Sequence, residues 1–360
     1  MGSHQFMGEG AQEDNATLSD WFHLMKPGVL TLLQVTALCA ILIHDLIDWK
    51  DSGGGSFDML ATLKTMGVVF VGGCLTAGGA HTFNNVLDRD IDPGMQRTAK
   101  RAIARGAISP TAGTIWGLII SFAGILWLIE LANEVAAFWA AFSILFYVFI
   151  YTLWLKRRSV QNIVIGGIAG ATPPLVGWAA AMGSAVSISN PFALGSVLPW
   201  LMFILIFLWT PPHFWALALY RSDQYKRMGI PMMPWVKGPQ RTMIEMRVYA
   251  LLLIGIAAMP WLNVNQVGEL PAYVYTLIAL VLGIWYNQSV IQIDIYEPKD
   301  EDGRIPSAAK SFFTSLSYLA LMFISMVLVL ISVEVTILAL CIVMLRMLSK
   351  RIPQKSAGRL

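Results

Sequence analysis

The sequence predicts an all-α fold: a polytopic membrane bundle of nine transmembrane helices, with a short tenth as a further candidate, around a central cavity open to the cytoplasmic side. Three observations lead there. Of the 360 residues, 56% are hydrophobic and only 13% charged, with a mean hydropathy of +0.62, too few charges to cover a water-soluble globule of this length. Apolar runs long enough for the roughly 20-residue helix that crosses hydrocarbon recur along the whole chain. Lys and Arg gather in alternate loops. No soluble domain, strand-period segment or convincing short repeat stands out.

Taken in order, the runs lie at 29–47, 59–87, 112–131, 135–155, 160–182, 194–220, 243–262, 272–293 and 312–331. Arg89, Arg97, Lys100, Arg101 and Arg105 follow the second; Lys156, Arg157 and Arg158 the fourth; Arg221, Lys226, Arg227, Lys237 and Arg241 the sixth. After the first stands Lys50 alone, and "ELANE", "GSAVSISNPFA" and "NVNQVGELPA" have no Lys or Arg. The even-numbered loops and the N-terminus are therefore expected on the cytoplasmic or matrix side.

Residues 1–23 read as a polar N-terminal segment whose opening "MGSHQFMGEG" has in part the look of an expression tag, 24–335 as the membrane domain, and 336–360 as an apolar short helix with a basic tail. Nine spans from a cytoplasmic start would leave Arg346, Lys350, Arg351, Lys355 and Arg359 outside, against the charge rule. A helix over 335–348, only about 21 Å long, that turns back at Glu334 would remove the conflict; the alternative is a ninth helix that runs on past the membrane. Cys39, Cys74 and Cys341 are scattered singly and read as small core side chains.

The second run ends in "NNVLDRDID". Asn84, Asp88 and Asp92 step by four, so on a helix each side chain turns only about 40° from the last and lies about 6 Å further on. Two carboxylates that close repel by roughly 3 kcal/mol at an effective dielectric near 20, so something cationic should bridge them. Mg²⁺ suits this donor set, because it takes carboxylate and amide oxygens and completes its shell with water and substrate phosphates. A diphosphate would then be the substrate's head group, with Arg97, Lys100, Arg101 and Arg105 in the following "PGMQRTAKRAIARG" as its partners. The plain alternative is a solvated acidic helix end. Asn85 and Asp90 point off this rail and are expected in water.

A second polar patch is "TPPHFWALALYRSDQYKRMGIPMMP". Asp223 stands among Arg221, Tyr225, Lys226 and Arg227, with His213 about 15 Å deeper on a continuous helix. Pro211 and Pro212 should break the helix locally, and non-helical backbone at depth belongs where it lines a cavity. A histidine inside an apolar span points to a substrate pocket; a hydrogen-bonded structural role is the other reading. His81, one turn before Asn84, stays open in the same way.

"NNVLDRDIDPGMQRT" resembles the N-x3-D-x3-D motif of the UbiA-type superfamily of intramembrane prenyltransferases. With "YTLWLKRRSVQNIVIGGIAGATPPLVGWAA" and "TPPHFWALALYRSDQYKRMGIPMMP" the chain is similar to the haem-farnesylating branch, from Leu24 through the ninth span. The resemblance implies a Mg-dependent prenyltransferase that moves the farnesyl group of farnesyl diphosphate to a vinyl group of protohaem IX (haem b), with addition of water. Haem would be substrate, not permanent cofactor.

By the same resemblance, Asn84, Asp88, Asp92 and Asp223 would hold metal, with Asp88, Asp92 and His213 catalytic. Arg97, Thr98 and Arg101 match the family's basic follow-on and Lys156 and Arg157 its basic turn; these arginines and lysines, with Lys100 from its place beside the rail, would bind diphosphate. His213, with Arg221, Tyr225 and Arg227 from their place around Asp223, would line the haem or second-motif pocket. Gln224 stands where that family usually has an acidic residue, and Ala102 where it usually has proline. The implied setting is a bacterial inner membrane (a mitochondrial inner membrane less so), with haem A synthase or oxidase assembly proteins as partners and no nucleic acid. Competing readings are a quinone precursor or chlorin as acceptor and, in a different class, an ion-coupled transporter. Against the transporter stand carboxylates at helix ends beside dense Arg and Lys, away from the midplane.

Overall fold

The structure, a computed structural model, describes residues 16–259, 264–300 and 304–349, the side chains of 222–224, 264 and 343–349 excepted. The chain opens with α1 (Leu18–Leu24), capped by Thr17 and Asp20 in a reciprocal box. Then come α2 (Pro27–Asp51), α3 (Met59–Leu87), α4 (Pro110–Leu131) and α5 (Glu134–Leu145), the last continued by a π-helical stretch, Phe146–Leu155. The fifth span is split into α6 (Asn162–Ala171) and α7 (Pro173–Ala181), and α8 is Leu198–Tyr220. After the short α9 (Ser222–Arg227) and α10 (Met233–Val236) follow α11 (Pro239–Ala258), α12 (Val264–Val267), α13 (Glu269–Ile291), α14 (Pro306–Ile331) and α15 (Val333–Ser349).

Eight spans among the described residues are long and apolar enough to cross a bilayer, which makes this an integral membrane protein. A ninth span is not confirmed among the described residues. The seventh expected span falls on α11, whose 20 residues include Arg241, Glu245 and Arg247, and residues 260–263 of that expected run lie outside the described residues. The other spans sit within a few residues of expectation, extended where a cap recruits the flanking turn. Ser109 caps α4 by accepting from the Ala112 N–H, with Pro110 in the first turn.

Helices α2, α7, α8, α11, α13 and α14 share one core in which Ile41, Leu175, Leu205 and Phe323 are sealed off. Lipid offers apolar helices no hydrophobic drive to associate, so close backbone approach carries much of the packing. Gly177 shows how close: a Cβ there would lie 2.1 Å from the Ala37 carbonyl oxygen on α2. That contact is backbone, which no rotamer can relieve. Gly177→Ala should lower the apparent Tm of the detergent-solubilised protein by several degrees, the scale of a 1–3 kcal/mol overpacking penalty. An unchanged thermal transition would show that α2 and α7 are not packed this tightly.

One local reading changes, and one is decided between its alternatives. The double proline does not break α8, which runs helically through Pro211 and Pro212; the two bonds lost are too few against the packing of α6, α11 and α14 on either side. The interruption falls instead at "TPP" in the fifth span, where Thr172 ends α6 and Pro173 opens α7. At the other end of the chain, Ser332 is extended (φ −158°, ψ 126°) and its hydroxyl accepts from the Val335 N–H. The helix therefore does not run straight on, and α15 folds back against α14 and α13. Cys39 is buried as expected, whereas Cys341 is exposed on the bundle's surface.

Candidate active site

A cavity of about 480 Å³ lies between α2, α3, the π-helical end of α5, α6, α8 and α14. Most of its wall is apolar, with Leu32, Val69, Ile144, Val176 and Leu316 among the lining residues. Its acidic and basic side chains are Asp88 and Asp92 against Lys26, Arg97, Arg101 and Lys156. Two carboxylates among four basic groups leave a surplus of positive charge, so the mouth is built for a polyanion.

Helix α3 carries the rail only part of the way. It ends at Leu87, Asp88 is its C-cap, and Asp92 opens a 3₁₀ turn, Asp92–Gly94. The i,i+4 pattern survives the helix end, because the Asp88 N–H donates to Asn84 O and the Asp92 N–H to Asp88 O, both at 2.9 Å. All three side chains are buried, at 3%, 1% and 3% exposure. Carboxylates at a helix C-terminus also oppose the macrodipole, so their burial requires cations.

Those cations come from distant parts of the chain. Lys156 Nζ meets Asp88 Oδ2, Arg101 Nη1 meets Asp92 Oδ2 at 2.7 Å, and Lys26 Nζ donates to Asn84 Oδ1 at 2.5 Å. Lys26, which the sequence reading missed, is the one non-glycine residue at positive φ (55°) among the described residues. A lysine there is strained by about 1–2 kcal/mol, and the following Pro27 disfavours its right-handed alternative; the gain is an ammonium aimed at Asn84. Burial, with Arg101 and Lys156 nearby, holds that ammonium well below the usual lysine range.

The donor set can be tested against a metal. No group of three His, Cys, Asp or Glu side chains converges among the described residues, which argues against a Zn-type site. Two carboxylates and an amide oxygen are hard donors suited to Mg²⁺, and Asp88 Oδ1 is buried with no hydrogen-bond partner, a lone pair left open. The residues present fit that ion.

Of the expected diphosphate binders, Arg97, Arg101 and Lys156 line the cavity, while Lys100 and Arg157 do not. Lys100 is exposed. Arg157 makes a fork on Asp90, at 2.6 and 2.7 Å, and donates to Leu87 O. Asp90 is thus paired, and its carboxyl sits below the usual range because of that hydrogen bond. Asn85 is not in water either: it is 1% exposed and donates to Leu24 O, tying α1 to α3.

In the second patch, Tyr225 lines the cavity, but Arg221 and Arg227 do not. The Asp223 side chain lies outside the described residues, and α8 ends at Tyr220, so no continuous helix joins it to His213. His213 is buried and stacked between Trp209 (4.1 Å, 20°) and Phe312 (4.6 Å, 23°). Its Nδ1 lies 2.6 Å from Ser315 Oγ, and that hydroxyl in turn donates to Phe312 O. With the hydroxyl proton on the carbonyl, Nδ1 carries the ring proton and Nε2 is left with its lone pair for the cavity that the ring lines.

Sequence reasoning also missed Tyr147, Tyr151, Thr152 and Asn162. Tyr147 and Tyr151 stack at 5.3 Å on the π-helical stretch and line the cavity, and π-helical turns favour functional sites. Thr152 accepts from the Asn84 amide at 3.2 Å, orienting that amide's oxygen toward Lys26. Asn162 donates to Ser159 O and Pro231 O and leaves Oδ1 unpartnered. The i,i+4 tyrosine pair and a lone amide at a span's start were the available signals.

Comparison with known proteins fits this geometry. The chain is 38% identical over 317 residues to a protein named protoheme IX farnesyltransferase from Bradyrhizobium sp. strain BTAi1, covering 87% of this chain and 91% of that protein. It is 39% identical over 308 residues to one of the same name from Rhodopseudomonas palustris strain BisB5, covering 86% and 89%. The fold matches the structure of a UbiA homolog from Archaeoglobus fulgidus bound to DMAPP and Mg²⁺, with a TM-score of 0.61 at 12% identity over 87% of this chain and 99% of that one. Residues 52–316 match the model of the UbiA prenyltransferase family, and the chain belongs to that family.

Proposed function

We propose that this protein transfers the farnesyl group of farnesyl diphosphate to a vinyl group of protohaem IX, with addition of water, giving haem O for haem-copper oxidases. The observation that carries the reading is one cavity whose charged mouth (Asn84, Asp88, Asp92, Lys26, Arg97, Arg101, Lys156) opens onto apolar walls that hold His213. The names of the relatives supply the acceptor, and the Mg²⁺ and DMAPP of the solved homologue support a metal-assisted departure of diphosphate. The bacterial relatives and the Lys/Arg pattern support an inner membrane with the charged mouth facing the cytoplasm.

Asn84, Asp88 and Asp92 would hold Mg²⁺, which neutralises charge on the leaving diphosphate when bound. Asp223 is proposed for a second ion. Lys26, Arg97, Arg101 and Lys156 take the phosphate oxygens as they gain charge, and Arg157 fastens the loop through Asp90 instead of reaching the substrate. The mutually stacked rings of Tyr147 and Tyr151 line the cavity, and an exposed ring face there would stabilise positive charge at the allylic carbon. The apolar walls keep bulk water away from that cation.

Purified protein in lipid, given Mg²⁺, haem b and farnesyl diphosphate, should release diphosphate and yield a more hydrophobic haem on reversed-phase chromatography, with no product after chelation by EDTA. A farnesylated quinone precursor or chlorin in place of haem would move the acceptor assignment. Release of diphosphate without any prenylated acceptor would overturn it.

A further inference from the structure

Hydration of the porphyrin-bound cation needs a water at one place and a group to take its proton. His81 is 7% exposed, lines the cavity, and has no hydrogen-bond partner at Nδ1 or Nε2. Its ring meets the Tyr147 ring edge to face, at 5.5 Å and 89°. A neutral imidazole offers one donor and one acceptor, and leaving both unmet in a membrane interior is unfavourable unless something in the cavity meets them. Neither nitrogen is open to solvent in this packing, so a water meets one of them once substrate opens the cavity around the ring.

Depth along α3 places that water. The helix reaches its charged end at Asn84 and Asp88, and residues before Asn84 line the deeper, apolar part of the cavity. His81 is three residues before Asn84, about 4.5 Å further in along the axis. With diphosphate held at Asn84, Asp88 and Asp92, its farnesyl chain would extend toward the apolar walls, and the allylic carbon with it. The vinyl carbon that becomes electron-deficient is two bonds beyond. Among the α3 residues lining the cavity inward of Asn84 (Val69, Gly73, Thr76, Ala77, Ala80 and His81), His81 alone has a basic nitrogen.

On the function proposed above, we infer that His81 holds the water that hydrates the porphyrin-bound cation and accepts its proton. The step balances. The C1–O bond of farnesyl diphosphate breaks with its electron pair leaving on diphosphate, and the vinyl π pair forms the new C–C bond to C1. A lone pair of the held water closes on the inner vinyl carbon, and the water's proton passes to the unprotonated nitrogen of His81, which returns it to the departing diphosphate. Without that water the cation loses a proton from the neighbouring carbon and gives an alkene adduct lighter by one water.

His81→Phe fills the space and removes both nitrogens; His81→Gln keeps a donor and an acceptor without basicity. The readout is the ratio of hydrated to lighter adduct by mass spectrometry, in variants that still bind farnesyl diphosphate with Mg²⁺. The ratio should fall by about 100-fold in His81→Phe, at the low end of what a positioned general base contributes, and less in His81→Gln. If His81→Phe does not fold, His81→Leu carries the same comparison. A hydrated adduct that still dominates in the apolar variant overturns the inference, as does a variant that binds substrate yet forms neither adduct, which would move His81 to the ionisation step. Wild-type protein that makes no farnesylated haem would instead sink the functional reading beneath it.

Discussion

Asp88→Asn and Asp92→Asn are each expected to lower farnesyl transfer by about 1,000-fold while leaving the protein folded, because each loses a charged oxygen that acts on the leaving group. The substitution is nearly isosteric, so no void opens in a site where these residues are 1% and 3% exposed. It also strips a counter-charge from Lys156 or Arg101, whose side chains keep 16% and 20% of their surface open to solvent and so stay hydrated. The fold should therefore survive a change that removing one partner of a fully sealed pair would not permit. Asp90→Asn is the control: it is 59% exposed and bound to Arg157 outside the cavity, so it should stay within about threefold of wild type. Isothermal titration of farnesyl diphosphate with and without Mg²⁺ separates the causes, since the Asp88 and Asp92 variants should lose the metal-dependent part of binding. Normal turnover of both at saturating Mg²⁺ would remove metal binding from this rail.

What the sequence made legible is what one helix encodes by itself. The second span was placed at 59–87 and the structure has α3 at Met59–Leu87, because its composition runs apolar until Asn84 ends it. The spacing of Asn84, Asp88 and Asp92 put three oxygens on one side, and it held through the helix end because the i,i+4 hydrogen bonds continue. Their partners were a different matter. Lys156 reaches Asp88 across 68 residues and Lys26 reaches Asn84 across 58, contacts that no local period records. Lys156 and Arg157 read alike as one basic turn, but only the first lines the cavity while the second turns to Asp90. The end of the π-helical stretch at Leu155 sets which of two adjacent side chains points inward. Pro211–Pro212 and Pro173–Pro174 likewise share a dipeptide and differ in outcome, and tertiary packing decides between them.

His213→Leu is expected to weaken haem binding by at least about tenfold and leave the affinity for farnesyl diphosphate unchanged, since the histidine is held by α8 and α14, apart from the Asn84–Asp92 rail. The ring is pinned on both faces and at Nδ1: Trp209 and Phe312 stack on its faces, Ser315 Oγ holds Nδ1, and Trp209 Nε1 donates to Ser315 O at 2.9 Å. Holding a buried imidazole this firmly fixes its tautomer, with Nδ1–H toward Ser315 and the Nε2 lone pair free for a flat, iron-bearing acceptor to meet. A purely structural histidine would satisfy both nitrogens within the protein. Ser315→Ala tests the tautomer directly. It leaves the two stacking rings in place and removes only the oxygen that holds Nδ1, so haem affinity should fall by about 10-fold, as when an outer-shell partner of a metal-binding histidine is lost. Haem titration followed through the Soret band reads both variants, and the band position should shift in His213→Leu if Nε2 meets the iron. Soret spectra and affinities identical to wild type in both variants would return His213 to a packing role and move the porphyrin elsewhere in the cavity.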